Sequence, residues 1–264
     1  MKVLFDSLAL GLPGSFRVGH WQVPVFGVFV AAGVVGALWL SQRTARLAGL
    51  DELKLWDAGV FAVLAAFAVS RVLLIAENWQ AARRFPVMML TLPSLTYGGM
   101  ALTALLVAGY LRWKKVPLLP ALDAWAPCAC VLAMCVALGH FFEGTDAGMP
   151  TSLPWGVHAP GDTVLGKTHP VQLYAFVVAI GVCEWALIGL KRKKPVGVVA
   201  ARLLVFGGVA AFALDLLEQP LNTFGGTLDP GQWIALGAVL VGAVMMAWPA
   251  QVAMPAPELN EEMA

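Results

Sequence analysis

Charge is what this sequence lacks most. Lys, Arg, Asp and Glu make up 12% of its 264 residues, about half of the roughly 25% that soluble domains carry. With 59% hydrophobic residues and a mean hydropathy of +0.78, a soluble globular chain is excluded and an integral membrane protein is expected. The few charges nearly cancel, at a net +1. No basic run interleaves with aromatics, so no nucleic-acid partner is expected. Cysteine is sparse too: Cys128, Cys130, Cys135 and Cys183 all fall inside apolar runs. A Cys-x-Cys on a helix points its side chains about 200° apart, a poor chelate and a poor disulfide. These thiols read as buried small hydrophobes. Internal repeats are missing, which speaks mildly against a transporter. The first residues, MKVLFDSLALGLPGS, are too short to span a membrane and lack a small-residue cleavage pattern. They are expected to lie along the interface.

Long apolar runs are what the chain has in plenty. A window of about 20 residues, the length that crosses the hydrocarbon core, gives seven spans at roughly 21–40, 56–75, 93–111, 121–139, 170–190, 196–217 and 231–250. Trp21, Trp39, Trp56, Tyr110, Trp113 and Trp248 mark their ends, as interfacial aromatics do. The connections after the first, third and fifth spans hold Arg43, Arg46 and Lys54, then Arg112, Lys114 and Lys115, then KRKK at 191–194. The other side holds only Lys2, Arg17, Arg83, Arg84 and Lys167. The bias of Lys and Arg toward the cytoplasm puts the N-terminus outside and the acidic tail inside. The expected fold is all-α with seven transmembrane helices: an outer interfacial segment 1–20, a membrane domain 21–250 with an outer loop 140–169, and a cytoplasmic tail 251–264.

A polar island, GHFFEGTDAGMPTSLPWG at 139–156, follows the apolar run CACVLAMCVAL. On this orientation it faces outward, with His20, His140, His158, His169, Glu143, Asp146, Asp162, Asp215 and Glu218 on the same side. Wet loops explain His158 and Asp162 adequately. They explain less well the polar groups on the spans themselves. Arg71, deep in the second span, costs about 2.5–3.5 kcal/mol at a bilayer centre. It either snorkels to the headgroups, pairs with Glu77 or Asp215, or holds an anionic lipid phosphate. Asp215 shares a helix face with Gln219 near the outer end of the sixth span, and Arg202 reads as a snorkelling anchor at its other end. Tyr97-Gly98-Gly99 opens the third span, where glycine permits close approach and helix N-terminal amides can meet an anion. Pro170 opens the fifth, leaving His169 by the cap and Gln172 and Tyr174 on the first turns. Four spans presenting polar ends to one side imply a shared cavity.

Taken in order, these strings resemble the bacterial prolipoprotein diacylglyceryl transferases. TYGGM (96–100) resembles that family's FHGG segment, and DAWAP (123–127) its D-x-x-AP, which leads into GRxGNFxNGE. PTSLPWGV (150–157) and THPVQLY (168–174) resemble PTDLPWGV and RHPSQLYE. DLLEQP (215–220) resembles EFFRQP, and GQWIALGAVLVGAVMMAW (231–248) the closing span. The resemblance runs from about residue 20 to 250. It implies a multi-pass protein of the bacterial inner membrane that moves a diacylglyceryl group from phosphatidylglycerol onto a lipobox cysteine thiol. Glycerol phosphate would be released at the outer leaflet.

The departures are specific. Counted from DAWAP, the signature's arginine falls on Ala137, its first asparagine on His140 and its second on Glu143; the HGG histidine is Tyr97. In the sixth span the family arginine falls on Ala211, while the acid is kept as Asp215. Arg71 keeps the second-span arginine. The resemblance therefore implies His140, Glu143 and Tyr97 as catalytic candidates. Arg71, Gly98, Gly99, His169, Gln172, Tyr174 and Asp215 are implied at the lipid headgroup. Phosphatidylglycerol is the expected partner and a prolipoprotein cysteine a candidate acceptor, with no cofactor and no metal expected. Two other readings stay open: a non-catalytic relative that binds a lipid or lipoprotein, favoured by the alanines, and a metal-dependent membrane hydrolase or transferase using His140 and Glu143 with His158 or His169.

Overall fold

The computed structural model describes residues 15–18, 21–86, 89, 96–145, 148–158, 166–218 and 228–247. His20, Asp146, Asp162, Gln219 and Trp248 lie outside these residues, as do 1–14 and the tail from 248 onward. Strand β1 (Ser15–Val18) pairs antiparallel with β2 (Trp21–Pro24), Ser15 opposite Pro24 and Val18 opposite Trp21. The boundary expected at residue 20 thus falls inside a hairpin. Pro24, with φ −66°, then caps helix α1 (Val25–Leu47). The other helices are α2 (Glu52–Glu77), α3 (Trp79–Arg84), α4 (Tyr97–Trp113), α5 (Leu118–Glu143), α6 (Val171–Lys191), α7 (Val198–Asp215) and α8 (Pro230–Ala247). A second small pair, β3 (Val157–His158) and β4 (Lys167–Thr168), joins the segments between α5 and α6.

Among the described residues, six helices are long and apolar enough to cross a membrane: α1, α2, α5, α6, α7 and α8. Helix α4, at 17 residues, stands where the third span is expected and is about 25 Å long. Residues expected as an outer loop, Arg83 and Arg84 among them, form the short α3. Helices α1 and α5 run beyond the expected spans, to Leu47 and Glu143. Ser41 and Thr44 are accommodated within α1, where each hydroxyl donates to a carbonyl of the preceding turn, Leu38 at 2.6 Å and Leu40 at 3.2 Å, and so is not left unsatisfied.

The helices pack as a chain of neighbours: α4 on α2, α2 on α1, α1 on α5, α5 on α6, α6 on α7 and α7 on α8, with α7 also against α5. Small residues set these contacts. Gly208 lets α7 approach α8 so closely that a Cβ there would stand 2.7 Å from the Ala235 carbonyl oxygen. The core at the basic end is built of Ala45, Leu55, Ala58, Leu111, Ala121 and Ala124. All four cysteines are free thiols, and Cys128, Cys130 and Cys183 are buried between helices. Asp123 does structural work: Oδ2 accepts from the Gly197 amide at 2.6 Å and Oδ1 from the Ala200 amide at 2.7 Å. It thereby caps the start of α7, where Gly197 holds φ +85°, a conformation that favours glycine.

Candidate functional site

A cavity of about 620 Å³ opens among α5, α6, α7 and α8. Its polar mouth is made by His140, Gln172, Asp215 and Glu218. Below them the walls are apolar, reaching Cys130 on α5, Val182 on α6 and Leu203 on α7. From His140 to Cys130 is ten helical residues, about 15 Å of depth. Such a slot is half a bilayer deep, wet at one end and hydrocarbon-like below.

The polar island builds this mouth. Gly144 ends α5 in the left-handed conformation at φ +76° and turns the chain so that Thr145 comes back over the helix end. There Thr145 Oγ1 lies 2.7 Å from His140 Nδ1, and its carbonyl accepts from Gln172 Nε2 at 2.7 Å. The His140 ring also lies 4.6 Å, centroid to centroid, from Phe26 of α1. One residue earlier, Gly139 admits the Phe26 ring, which a Cβ there would meet at 2.8 Å. The imidazole is thus oriented from two sides, by a hydroxyl and by an aromatic wall.

Further along, the island is stitched to the helices it crosses. The Met149 amide donates to the Leu217 carbonyl at 2.7 Å, and the His169 amide donates to the Met149 carbonyl at 3.0 Å. Gly148 forms a bridge with Glu218 and Pro150 with Thr168. One extended segment therefore ties the end of α7 to the start of α6. At the far wall Asp215 Oδ2 is buried with no hydrogen-bond partner among the described residues. Asp229 and Gln232, at the start of α8, stand close by.

The residues expected at the site divide into three groups. His140, Gln172 and Asp215 share the cavity. Glu143, one turn on from His140, closes α5 and is half-buried, outside the cavity wall. Tyr174 lies on the first turn of α6 and His169 just before it, with His169 Nδ1 3.5 Å from the Tyr174 hydroxyl, which accepts from Trp155 Nε1 at 2.8 Å. Arg71, Tyr97, Gly98 and Gly99 belong to the α2–α4 pair, because Gly99 packs toward Leu73 and Val69 of α2. Tyr97 is 53% exposed, and the Gly99 amide donates to Thr96 Oγ1 at 3.2 Å. Arg71 forms no ion pair with Asp215 or Glu77; its Nη1 donates to the Met89 carbonyl at 2.6 Å. Among the described residues, no group of three His, Cys, Asp or Glu could hold a metal ion, so the set of His140 and Glu143 with His158 or His169 is not assembled. The sequence pattern gives no role to Glu218 or Thr145, although Gly144 is a recognisable helix-ending glycine after which the chain folds back, the Thr145 amide donating to the His140 carbonyl at 3.2 Å.

Two positions are notable for what is missing. Ala137 and Ala211, on which the family arginines fall, both line this cavity. Among the described residues no Lys or Arg lines it.

Apolar helices around a slot with one polar mouth define a multi-pass membrane protein. The match to known families is specific. The model of the prolipoprotein diacylglyceryl transferase family covers residues 13–248, and the chain belongs to that family. It is 29% identical over 255 residues to the phosphatidylglycerol–prolipoprotein diacylglyceryl transferase of Cupriavidus pinatubonensis strain JMP 134, covering 89% of this chain and 90% of the relative. It is 27% identical over 246 residues to the Geobacter sulfurreducens protein of that name, covering 88% and 93%. With the Azotobacter vinelandii protein it shares 28% over 270 residues, covering 92% and 94%.

Proposed function

We propose that this chain is a phosphatidylglycerol-dependent diacylglyceryl transferase of altered chemistry, acting on a phospholipid at the outer leaflet in lipoprotein lipidation. The observation that carries the reading is the cavity itself. A polar mouth of His140, Gln172, Asp215 and Glu218 stands over an apolar slot of the depth that one leaflet's acyl chains occupy. The names of the relatives supply the substrates: phosphatidylglycerol as donor and a prolipoprotein as acceptor.

In this reading His140 takes the proton of the acceptor cysteine, with Thr145 fixing its ring. The thiolate sulfur attacks the terminal glyceryl carbon that carries the phosphate. A C–S bond forms, the C–O bond to phosphate breaks, and glycerol phosphate leaves with the electron pair. A leaving phosphate needs positive charge beside it. The imidazolium formed by the first step supplies it in a wall where no Lys or Arg stands among the described residues. Glu143 tunes that imidazole from one turn away, while Gln172 and Asp215 order the glycerol hydroxyls. His169 and Tyr174 border the headgroup path. Arg71, Tyr97, Gly98 and Gly99 form a second polar patch on α2 and α4, suited to an arriving headgroup.

The test is purified full-length protein in phosphatidylglycerol nanodiscs with a lipobox cysteine peptide, read by mass spectrometry for the diacylglyceryl thioether. Product from the wild type, lost in His140→Ala, is expected. A wild type that retains phosphatidylglycerol but never modifies the peptide supports instead a non-catalytic lipid or lipoprotein binder. The absence of Lys and Arg from the wall among the described residues, and the two alanines, favour that second reading.

A further inference from the structure

Two cavities meet at the end of the bundle opposite His140. The first, about 500 Å³, lies between the end of α1, the start of α5 and the α6–α7 turn, with Arg46, Asp123, Lys193 and Lys194 in its wall. The second, about 270 Å³, lies on α6 and α7 among Trp185, Ile188, Arg192, Lys194 and Arg202. Gly189, Lys194 and Val199 border both. Along α5, Asp123 and His140 are 17 residues apart, about 25 Å, so this end is distinct from the cavity described above.

Its charge is one-sided. Asp123 is the one carboxylate in either wall, and both its oxygens are taken by amides at the start of α7. Arg46 is paired with Glu52 across the α1–α2 turn. Arg192, Lys193, Lys194 and Arg202 thus border the two cavities, and among the described residues no acid other than Asp123 lines them. Like charges on one end of a bundle repel one another, and an anion among them relieves the cost.

The chemistry of the wall says which anion. Trp185 is six residues inside the end of α6, about 9 Å below Lys191, and Arg202 holds its guanidinium 5.2 Å from the Trp185 ring centroid. Ile188 and Val199 continue the surface. The second cavity therefore runs from an apolar helix wall up to a basic rim, at the depth where a bilayer passes from acyl chain to phosphate. Basic pockets between spanning helices on this side of a membrane suit anionic headgroups. A soluble phosphate would use the cations alone and make no use of the apolar surface that Ile188 and Val199 continue below them.

We propose that Arg192, Lys193, Lys194 and Arg202, with Trp185, form a binding site for an anionic phospholipid of the leaflet at the basic end, separate from the His140 cavity. The lipid phosphate sits among the cations and its first acyl carbons lie along Trp185 and Ile188.

The experiment uses the full chain in phosphatidylcholine nanodiscs doped with phosphatidylglycerol, with retained lipid counted by native mass spectrometry. Wild type should hold one more phosphatidylglycerol than Lys194→Gln/Arg202→Gln, whose affinity falls about 25-fold, at about fivefold per cation. Lys194→Arg/Arg202→Lys should retain the lipid, and so should His140→Ala. Raising salt from about 0.1 to 1 M should release it from wild type, a readout that needs no variant. Equal retention of phosphatidylcholine, indifference to salt, or displacement by millimolar inorganic phosphate would each overturn the assignment.

Discussion

Ala137 of α5 and Ala211 of α7 face one another's cavity from two helices, each about one turn below a polar residue of the mouth, His140 and Asp215. Restoring arginine at both places puts two guanidiniums into a slot of about 620 Å³ where a departing phosphate would develop charge. A single preorganised donor is worth about 10²–10³ in rate. Ala137→Arg/Ala211→Arg is therefore expected to raise phosphatidylglycerol-dependent peptide lipidation by at least about tenfold. A double variant that folds, binds phosphatidylglycerol and is no faster counts against a phosphate leaving through this cavity.

His140 and Thr145 give a second prediction. General-base catalysis contributes about 10²–10⁴, so His140→Ala should lose at least about 10² in turnover. Thr145→Ala removes the hydroxyl 2.7 Å from Nδ1 together with a methyl group and should cost less, about tenfold. Thr145→Ser keeps the hydroxyl and should recover most of the rate. Initial rates of thioether formation separate these outcomes; a Thr145→Ala enzyme as fast as wild type removes Thr145 from the account.

Much of the fold was legible because hydrocarbon thickness dictates helix length, and apolar runs of that length stand out in a chain so poor in charge. Helix ends were less legible. Ser41 and Thr44 look like the end of a span, yet their hydroxyls return to the α1 backbone and the helix continues. The hairpin at 15–24 was passed over, although Gly19-His20 between SFRV and WQVP is a two-residue connection with glycine first. The site divided for a tertiary reason. The polar ends of α4 and α5 look alike in sequence, but α4 packs mainly on α2, and Tyr97 is not among the residues that line the cavity with His140. Which helices adjoin is a property of packing, and spacing along one chain does not carry it. Glu218 sits at the mouth through a turn that follows α7, its amide donating to the Asp215 carbonyl at 3.1 Å, and through its bridge to Gly148, a loop contact that spacing does not announce.

Asp123 carries a stability prediction independent of function. Its side chain, 5% exposed, is the partner of two amides at the start of α7. Asp123→Ala orphans both. A lost cap costs about 0.5–2 kcal/mol, and a buried donor left unsatisfied about 1–3 kcal/mol. The variant should melt below wild type in the same detergent, while Asp123→Asn, which keeps one acceptor, falls between them. Equal melting of all three removes the cap from the account of α7.

Gly148 tests whether the polar island is structural support for the mouth. It bridges to Glu218, and a Cβ at this position would collide with the His169 backbone carbonyl oxygen and with the Val171 side chain. A backbone atom cannot swing aside as a side-chain tip can. Gly148→Ala must therefore push the extended segment away from α6 or α7, and overpacking of this kind costs about 1–3 kcal/mol. The Met149 bonds to Leu217 and His169 stretch with it, and Glu218 shifts at the rim. Since misplacement by about 1 Å can cost about 10² in rate, activity should fall far more than the melting temperature does. Protease cleavage within 148–158 should rise in parallel. A variant cleaved no faster than wild type and equally active would mean that the mouth holds its shape without the island.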